Sequence, residues 1–158
     1  MRLIIYDNKN VNIHEKINDI VIYSKDNTKP CVGCFSCWVK TPENCIYKDG
    51  GSINKIMASV DEVIIISKNT FGGFSSSIKR HIDRSLSFVK PLFTFRNGMM
   101  RHVKRHINDN LKMSVCFYGK VTEKEKRTAI NSVSSLAENL GIIIKNISFK
   151  LNEKEVSI

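Results

Sequence analysis

Short apolar runs set between polar, turn-forming stretches give this chain its rhythm. Arg2–Tyr6 (RLIIY), closed by Asp-Asn-Lys-Asn, and Ile20–Tyr23 (IVIY) both read as buried strands. Only residues 7–19 separate them, and a parallel crossover needs a dozen or more. That connection therefore sits at its lower limit, with room for one or two helical turns over 13–18. Residues 24–29 are polar. Residues 62–67 (EVIIIS) carry a continuous β-branched centre between polar ends, the pattern of a central strand covered on both faces. Residues 111–118 (LKMSVCFY) and 142–149 supply a fourth and a fifth strand.

The helical stretches fall between these runs. Ser52 can cap a short helix over 53–59, and Ser76 or Ser77 opens one over SIKRHIDRSLSFV that Pro91 ends. Thr122 with Glu125 three residues on fits a capping box, so a helix should run to Leu140 and stop at Gly141. Residues 91–110 show no clean period and carry Arg96, Arg101, His102, Lys104, Arg105 and His106, which predicts a long, irregular basic excursion. Five strands interleaved with helices predict a doubly wound parallel α/β sheet with a shortened first crossover, in one domain spanning 1–158. Ligands of such sheets bind beyond the carboxyl ends of the strands. The segment after the second strand, residues 68–75 after the third and Tyr118-Gly119-Lys120 after the fourth are expected to meet there.

Composition narrows the setting. No apolar run approaches the roughly 20 residues that span a bilayer, and the first apolar run is too short for a secretory signal, so a cytoplasmic protein with reduced thiols and no membrane association is expected. The net charge of +10 favours an anionic partner such as a phosphorylated cofactor or an acidic surface, with nucleic acid the less favoured choice.

Four of the five cysteines, Cys31, Cys34, Cys37 and Cys45, lie in one loop-length segment, PCVGCFSCWVKTPENC. Three closely spaced thiolates can cap three irons of a cubane cluster, whereas structural zinc more often uses two separated knuckles. Buried packing and reversible disulfides remain open on spacing alone. Cys116, between Val115 and Phe117 in a strand, reads as a small core residue. In KNTFGGFS, Gly72 and Gly73 let backbone approach a flat ligand and present N–H donors to it, while Phe71 and Phe74 offer stacking faces; the alternative is a tight turn whose aromatics return to the core. Trp38 suits a pocket roof, the core or an interface equally. Lys79 and Asp83 read as a surface pair, and His81, His102 and His106 as a solvated face.

Taken together, CVGCFSCW, KTPENCIYKDG, EVIIISKNTFGGFSSSIKR and HIDRS resemble the flavodoxin-like NADPH-dependent FMN reductase family and its iron-sulfur flavoprotein branch, over about residues 20–120. The resemblance implies FMN at the strand ends, a homodimer, and oxidoreductase or electron-transfer activity with a nicotinamide, another small molecule or a protein as electron donor and acceptor. It places Asn69, Thr70, Phe71, Gly72, Gly73, Phe74 and Ser75 around the flavin ring, with Tyr118 and Gly119 on the other ring-facing loop. It makes Cys31, Cys34, Cys37 and Cys45 ligands of an iron-sulfur cluster. No catalytic acid is implied. The chain departs from the family at its front, where Asp7-Asn8-Lys9-Asn10 stands in place of a glycine- and serine-rich phosphate loop. The alternative expectation is a flavodoxin-fold protein that has lost tight FMN binding and holds an anionic partner through its basic segment.

Overall fold

The computed structural model describes residues 1–24, 27–106 and 108–158. Lys25 and Asp26, in the polar stretch ahead of the cysteines, and Ile107, in the basic segment, lie outside the described residues. Five strands form one parallel sheet: β1 (Arg2–Tyr6), β2 (Ile20–Tyr23), β3 (Glu62–Lys68), β6 (Lys112–Tyr118) and β7 (Ile143–Lys150), in the order β2-β1-β3-β6-β7. Leu3, Ile5, Val63, Ile65, Met113, Val115 and Phe117 face a helical layer made by α2 (Asn54–Ser59), α3 (Ser76–Asp83) and α4 (Glu123–Leu140). Ile4, Ile64, Ile66, Cys116 and Tyr118 face the other side. Both sets are buried, which is why the central strands read as continuous apolar runs rather than as alternating ones.

That second side carries no α-helix among the described residues. The crossover 7–19 has no helical turn, and Ile17 within it is fully exposed. Two extended segments cover the sheet instead. Val11, half-buried Ile13, Val156 and Ile158 pack on it. They are laced together by Asn12 N–H to Val156 O (3.2 Å), His14 N–H to Ile158 O (2.6 Å) and Ile158 N–H to Asn12 O (3.2 Å). The helical turns expected over 13–18 are therefore corrected: the main-chain groups there find partners in a strand-like pairing with the segment after β7.

The basic stretch is corrected as well. Rather than an irregular excursion it is a hairpin of β4 (Val89–Arg96) and β5 (Met99–Lys104), turned by Asn97 and Gly98, both at positive φ (52° and 75°). Asn-Gly between two apolar strands is the sequence signal for this two-residue turn. Pro91 is tolerated because it falls where the register shifts between Val89 and Phe93. The hairpin rests on the end of α4: Arg96 donates to the carbonyls of Glu138 (3.2 Å) and Asn139 (3.1 Å), and Arg101 pairs with Glu138. At its other end α4 has the expected capping box of Thr122 and Glu125, and Gly141 closes it in a left-handed conformation (φ 70°).

Candidate functional site

Two loop regions carry the residues singled out by sequence. The first lies beyond the carboxyl ends of β1, β3 and β6. After β1, Asp7 turns back over the sheet and its carboxylate accepts the Lys68 N–H (3.0 Å) and the Tyr118 O–H (2.7 Å). Burial, and then the bond to Asp7, raise the Tyr118 phenol above its ordinary range. In residues 69–75 the polar groups are turned inward. Gly72 N–H donates to Asn69 Oδ1 (3.1 Å), Thr70 and Gly73 exchange both their backbone bonds (3.0 Å each), and Ser75 N–H donates to Ser67 Oγ (2.8 Å). Asn69 itself is tied to β6 by its N–H to Tyr118 O and by its side chain to Lys120 O. Phe74 packs on Phe117 with ring centroids 5.2 Å apart, whereas Phe71 is 89% exposed in a left-handed conformation. Gly119 (φ 103°) closes the neighbouring loop, its N–H bonded to Lys150 O. Gly72 sits against α4 so closely that a Cβ there would lie 2.8 Å from Glu125 O.

The second region is the cysteine segment. It leaves β2 at the same end of the sheet but then crosses the helical layer, and its cysteines come to rest beside Asp83, Arg84 and Leu86, at the far end of α3. Eight helical residues separate that end from Ser75, about 12 Å at 1.5 Å each. Cys31, Cys34, Cys37 and Cys45 line one small cavity together with Arg84 and Tyr47. Their sulfurs are free thiols, Cys31 and Cys34 exposed, Cys37 and Cys45 half-buried. The Ser36 amide and hydroxyl hold the Cys34 thiol below its ordinary range, while burial pushes Cys37 up and the proximity of Cys45, Cys31 and Cys34 pushes the same way. Winding so many thiols round one cavity requires tight backbone: Gly33 (φ 66°), Phe35 (φ 54°) and Glu43 (φ 68°) are all left-handed, and the short helix α1 (Ser36–Val39) starts from Phe35. For Phe35 and Glu43 this conformation costs of order 1–3 kcal/mol each.

Arg84 fixes that loop from behind, and its side chain has no exposed surface. The guanidinium donates to Asp49 (2.6 Å), to Lys29 O (3.2 Å) and to Tyr47 O (3.0 Å), so it joins the chain just before Cys31 to the chain just after Cys45. Asp49 also accepts the amides of Gly51 and Lys29, and the Tyr47 ring lies 5.3 Å from the guanidinium carbon. Gly51 has to be glycine at this point, because a Cβ there would meet Arg84 Nη1 at 2.2 Å. His81 is buried and bonds Gly51 O through Nδ1 (3.0 Å). Burial lowers its pKa, so it is a packing residue of α3 and not part of a solvated face. His102 and His106 are likewise engaged: His102 stacks on Phe93 (4.6 Å) and touches Trp38 (5.1 Å), and His106 meets Glu43 at 2.7 Å. Trp38 donates its indole N–H to Val89 O (2.9 Å) and stacks on Phe35, so it bonds the cysteine segment to the hairpin. Lys79 and Asp83 form the expected surface pair, and Cys116 is buried.

Beside the thiols lies a larger apolar cavity of about 410 Å³, floored by Val63, Ile65 and Met113 and walled by Leu136 and Leu140 of α4. It shares Cys31, Gly33 and Phe35 with the cysteine cavity.

The donor sets suit two groups unequally. Four thiols around one cavity, backed by a cation, have the chemistry of an iron-sulfur site. Among the described residues no three His, Cys, Asp or Glu side chains close on a single ion. The phosphate of FMN does not fit. A phosphate is held by aligned backbone amides at a helix start, whereas β1 is followed by no helix and the place beyond it is taken by the Asp7 carboxylate.

No protein-family model matches the chain, and no curated protein matches it. Among solved structures it is similar to the Trp repressor binding protein from Bacillus subtilis, with a TM-score of 0.54 and 13% identity over 94% of this chain and 85% of that one. This likeness and the strand order establish a flavodoxin-like fold, with the β4–β5 hairpin inserted between β3 and β6. No helix of the described residues is long and apolar enough to cross a membrane.

Proposed function

We propose that this protein is an electron-transfer or oxidoreductase protein in which the four-cysteine cavity, rather than the strand-end crevice, holds the redox group. The observation that carries this reading is the convergence of Cys31, Cys34, Cys37 and Cys45 on one cavity backed by a buried arginine. An iron-sulfur cluster bound there would supply one-electron chemistry. The chain's own residues do the rest. The thiolates would hold it, Arg84 and Asp49 hold the two ends of the loop together, and Phe35, stacked on Trp38, lines the same cavity. The adjoining apolar cavity gives an uncharged small-molecule partner access to within one residue wall, Cys31, of the thiols.

A flavin held through its ring is the second reading. What favours it is the flavodoxin-like fold together with exposed Phe71 at the tip of the loop 69–75, beside Tyr118 and Gly119. Holding an anionic partner through the basic segment is less favoured, since Arg96, Arg101, Lys104 and Arg105 are occupied by α4 carbonyls, Glu138, Asp109 and Ser87 O. The surface we propose for a homodimer is the hairpin, because Leu92, Phe93, Phe95, Met99 and Met100 are all exposed there. The test is an anaerobic preparation supplied with ferrous iron and sulfide. A broad visible absorbance that bleaches on reduction is expected, and a protein that stays colourless while remaining folded would exclude the cysteine-site reading.

A further inference from the structure

The apolar cavity beside the thiols has a chemistry of its own. Its floor, Val63, Ile65 and Met113, belongs to the buried core, whereas Ile82 of α3 and Leu136 and Leu140 of α4, which wall it, are only half-buried. Close-packed interiors keep few voids larger than a water molecule, and an aliphatic lining of about 410 Å³ gives water few partners. An apolar molecule seated between α3 and α4 would cover all three half-buried side chains. On the wall shared with the cysteine cavity, Gly33 adds to the open space: it is held at φ 66°, and a Cβ there would have no neighbour within 4 Å.

The polar groups around this space are few, and most are engaged. Ser85 Oγ donates to His81 O (2.7 Å) and accepts the Ile53 N–H (3.0 Å). Asp83, the one charged residue on the wall among the described residues, pairs with Lys79. Asn139 adds a side-chain amide, able both to donate and to accept. Although the chain carries 25 Lys and Arg, none of the described ones lines this cavity, so the phosphates of a nucleotide would meet no counter-charge there. We propose that the cavity is a binding site for an uncharged, mainly apolar small molecule, such as a compact aromatic compound, with Asn139 meeting its polar group and Cys31 at its edge. Its volume suits the smaller ligands of such pockets. Of the four clustered cysteines only Cys31 lines it. The site goes beyond the reading above and stands whether or not the thiols take iron.

The test titrates N-phenyl-1-naphthylamine, an uncharged compound that fluoresces in apolar surroundings, into the full chain before any iron is added. A saturable rise is expected, weakened about tenfold or more, or by about 1.4 kcal/mol, in Leu136→Trp and in Ile82→Trp, each of which fills the space. Bound compound should also slow the alkylation of Cys31 by iodoacetamide, read by mass spectrometry, in step with the fluorescence. Cys34, exposed and lining only the smaller cavity, should react as before. The hairpin is a second apolar surface, so Phe95→Ser serves as the control. A rise lost in Phe95→Ser but kept in both tryptophan variants overturns the proposal. So does binding that leaves Cys31 equally reactive, or no saturable rise at all. Should neither tryptophan variant fold, the protection of Cys31 in wild type decides. Iron uptake without binding of the naphthylamine would remove this site and leave the cluster reading standing; binding without iron uptake would do the reverse.

Discussion

The strand-end loop and the cysteine segment dispose of their polar groups in opposite ways. Beyond β3 and β6 the chain satisfies itself: Lys68 N–H and Tyr118 O–H go to Asp7, and the amides of Gly72, Gly73 and Ser75 go to Asn69, Thr70 and Ser67. Around the cysteines it does not. Four thiols without a disulfide line one cavity, and Phe35 and Glu43 are held at positive φ, where the strand-end loop has Phe71. A loop whose donors are all engaged internally is stable without a ligand. The place where a flavodoxin-like fold conventionally binds its ligand, at the β1/β3 switch, is here the quieter of the two.

The largest expected effect that sharpens this contrast comes from Arg84→Leu. It leaves Asp49 and two loop carbonyls without their partner, and urea unfolding should show a loss of about 3 kcal/mol, since breaking a buried pair costs about 3–5 and Asp49 is partly exposed. Protease cleavage within residues 29–49 should appear at the same time. Gly72→Ala probes the other loop. A Cβ there meets Glu125 O at a residue of φ 79°, so a destabilisation of about 2 kcal/mol is expected with iron uptake unchanged; a matching loss of iron would show that the two loops act as one site.

Acid lability comes next. Arg2 holds the Asp19 carboxyl at about 2, and Asp49 lies at about 2 because the Gly51 amide and Arg84 outweigh the opposing effect of burial. Both folded values are below the ordinary 3.8. The stability they confer is therefore present above about pH 4 and lost as pH falls through about 2. Asp19→Asn should flatten that acid limb in denaturation measured at pH 6, 4 and 3, but leave the cysteine site intact. Asp49→Asn should flatten it too, and disturb the site. The smallest expected effect is on flavin affinity. With Asp7 in the phosphate position, dissociation constants for FMN and riboflavin should agree within about threefold. An FMN preference of a hundredfold, about 2.7 kcal/mol, would break the comparison by showing that another segment binds the phosphate.

Much of the scaffold was legible because its signals are local. The apolar runs of the five strands, the capping box at Thr122 and the stop at Gly141 all describe short-range physics, and each appears where the sequence puts it. The hairpin was equally legible in Asn97-Gly98, but Pro91 and the density of Arg and Lys argued for irregular chain. What remained hidden depends on long-range partners. Nothing in residues 7–19 shows that their backbone pairs with residues 156–158, and that pairing is what displaces the expected helical turns. Asp7 looked like an unsuitable charge in a phosphate loop; only the approach of Lys68 and Tyr118 shows it to be the anion of that site. His81 read as part of a solvated face and Arg84 carried no signal of its own within HIDRS, and their burial appears only once the cysteine segment folds over α3. The spacing of the cysteines brought four thiols to one loop. It could not say that the loop travels to the far end of α3.

The most direct measurement of the central claim is the iron content per chain after anaerobic reconstitution of wild type and of the double replacement Cys37→Ser, Cys45→Ser, with circular dichroism confirming that both remain folded. About four irons per chain in wild type, as one cubane requires, falling below a tenth of that in the double variant, is the predicted result. Equal iron in the two proteins, or none in either, would contradict it.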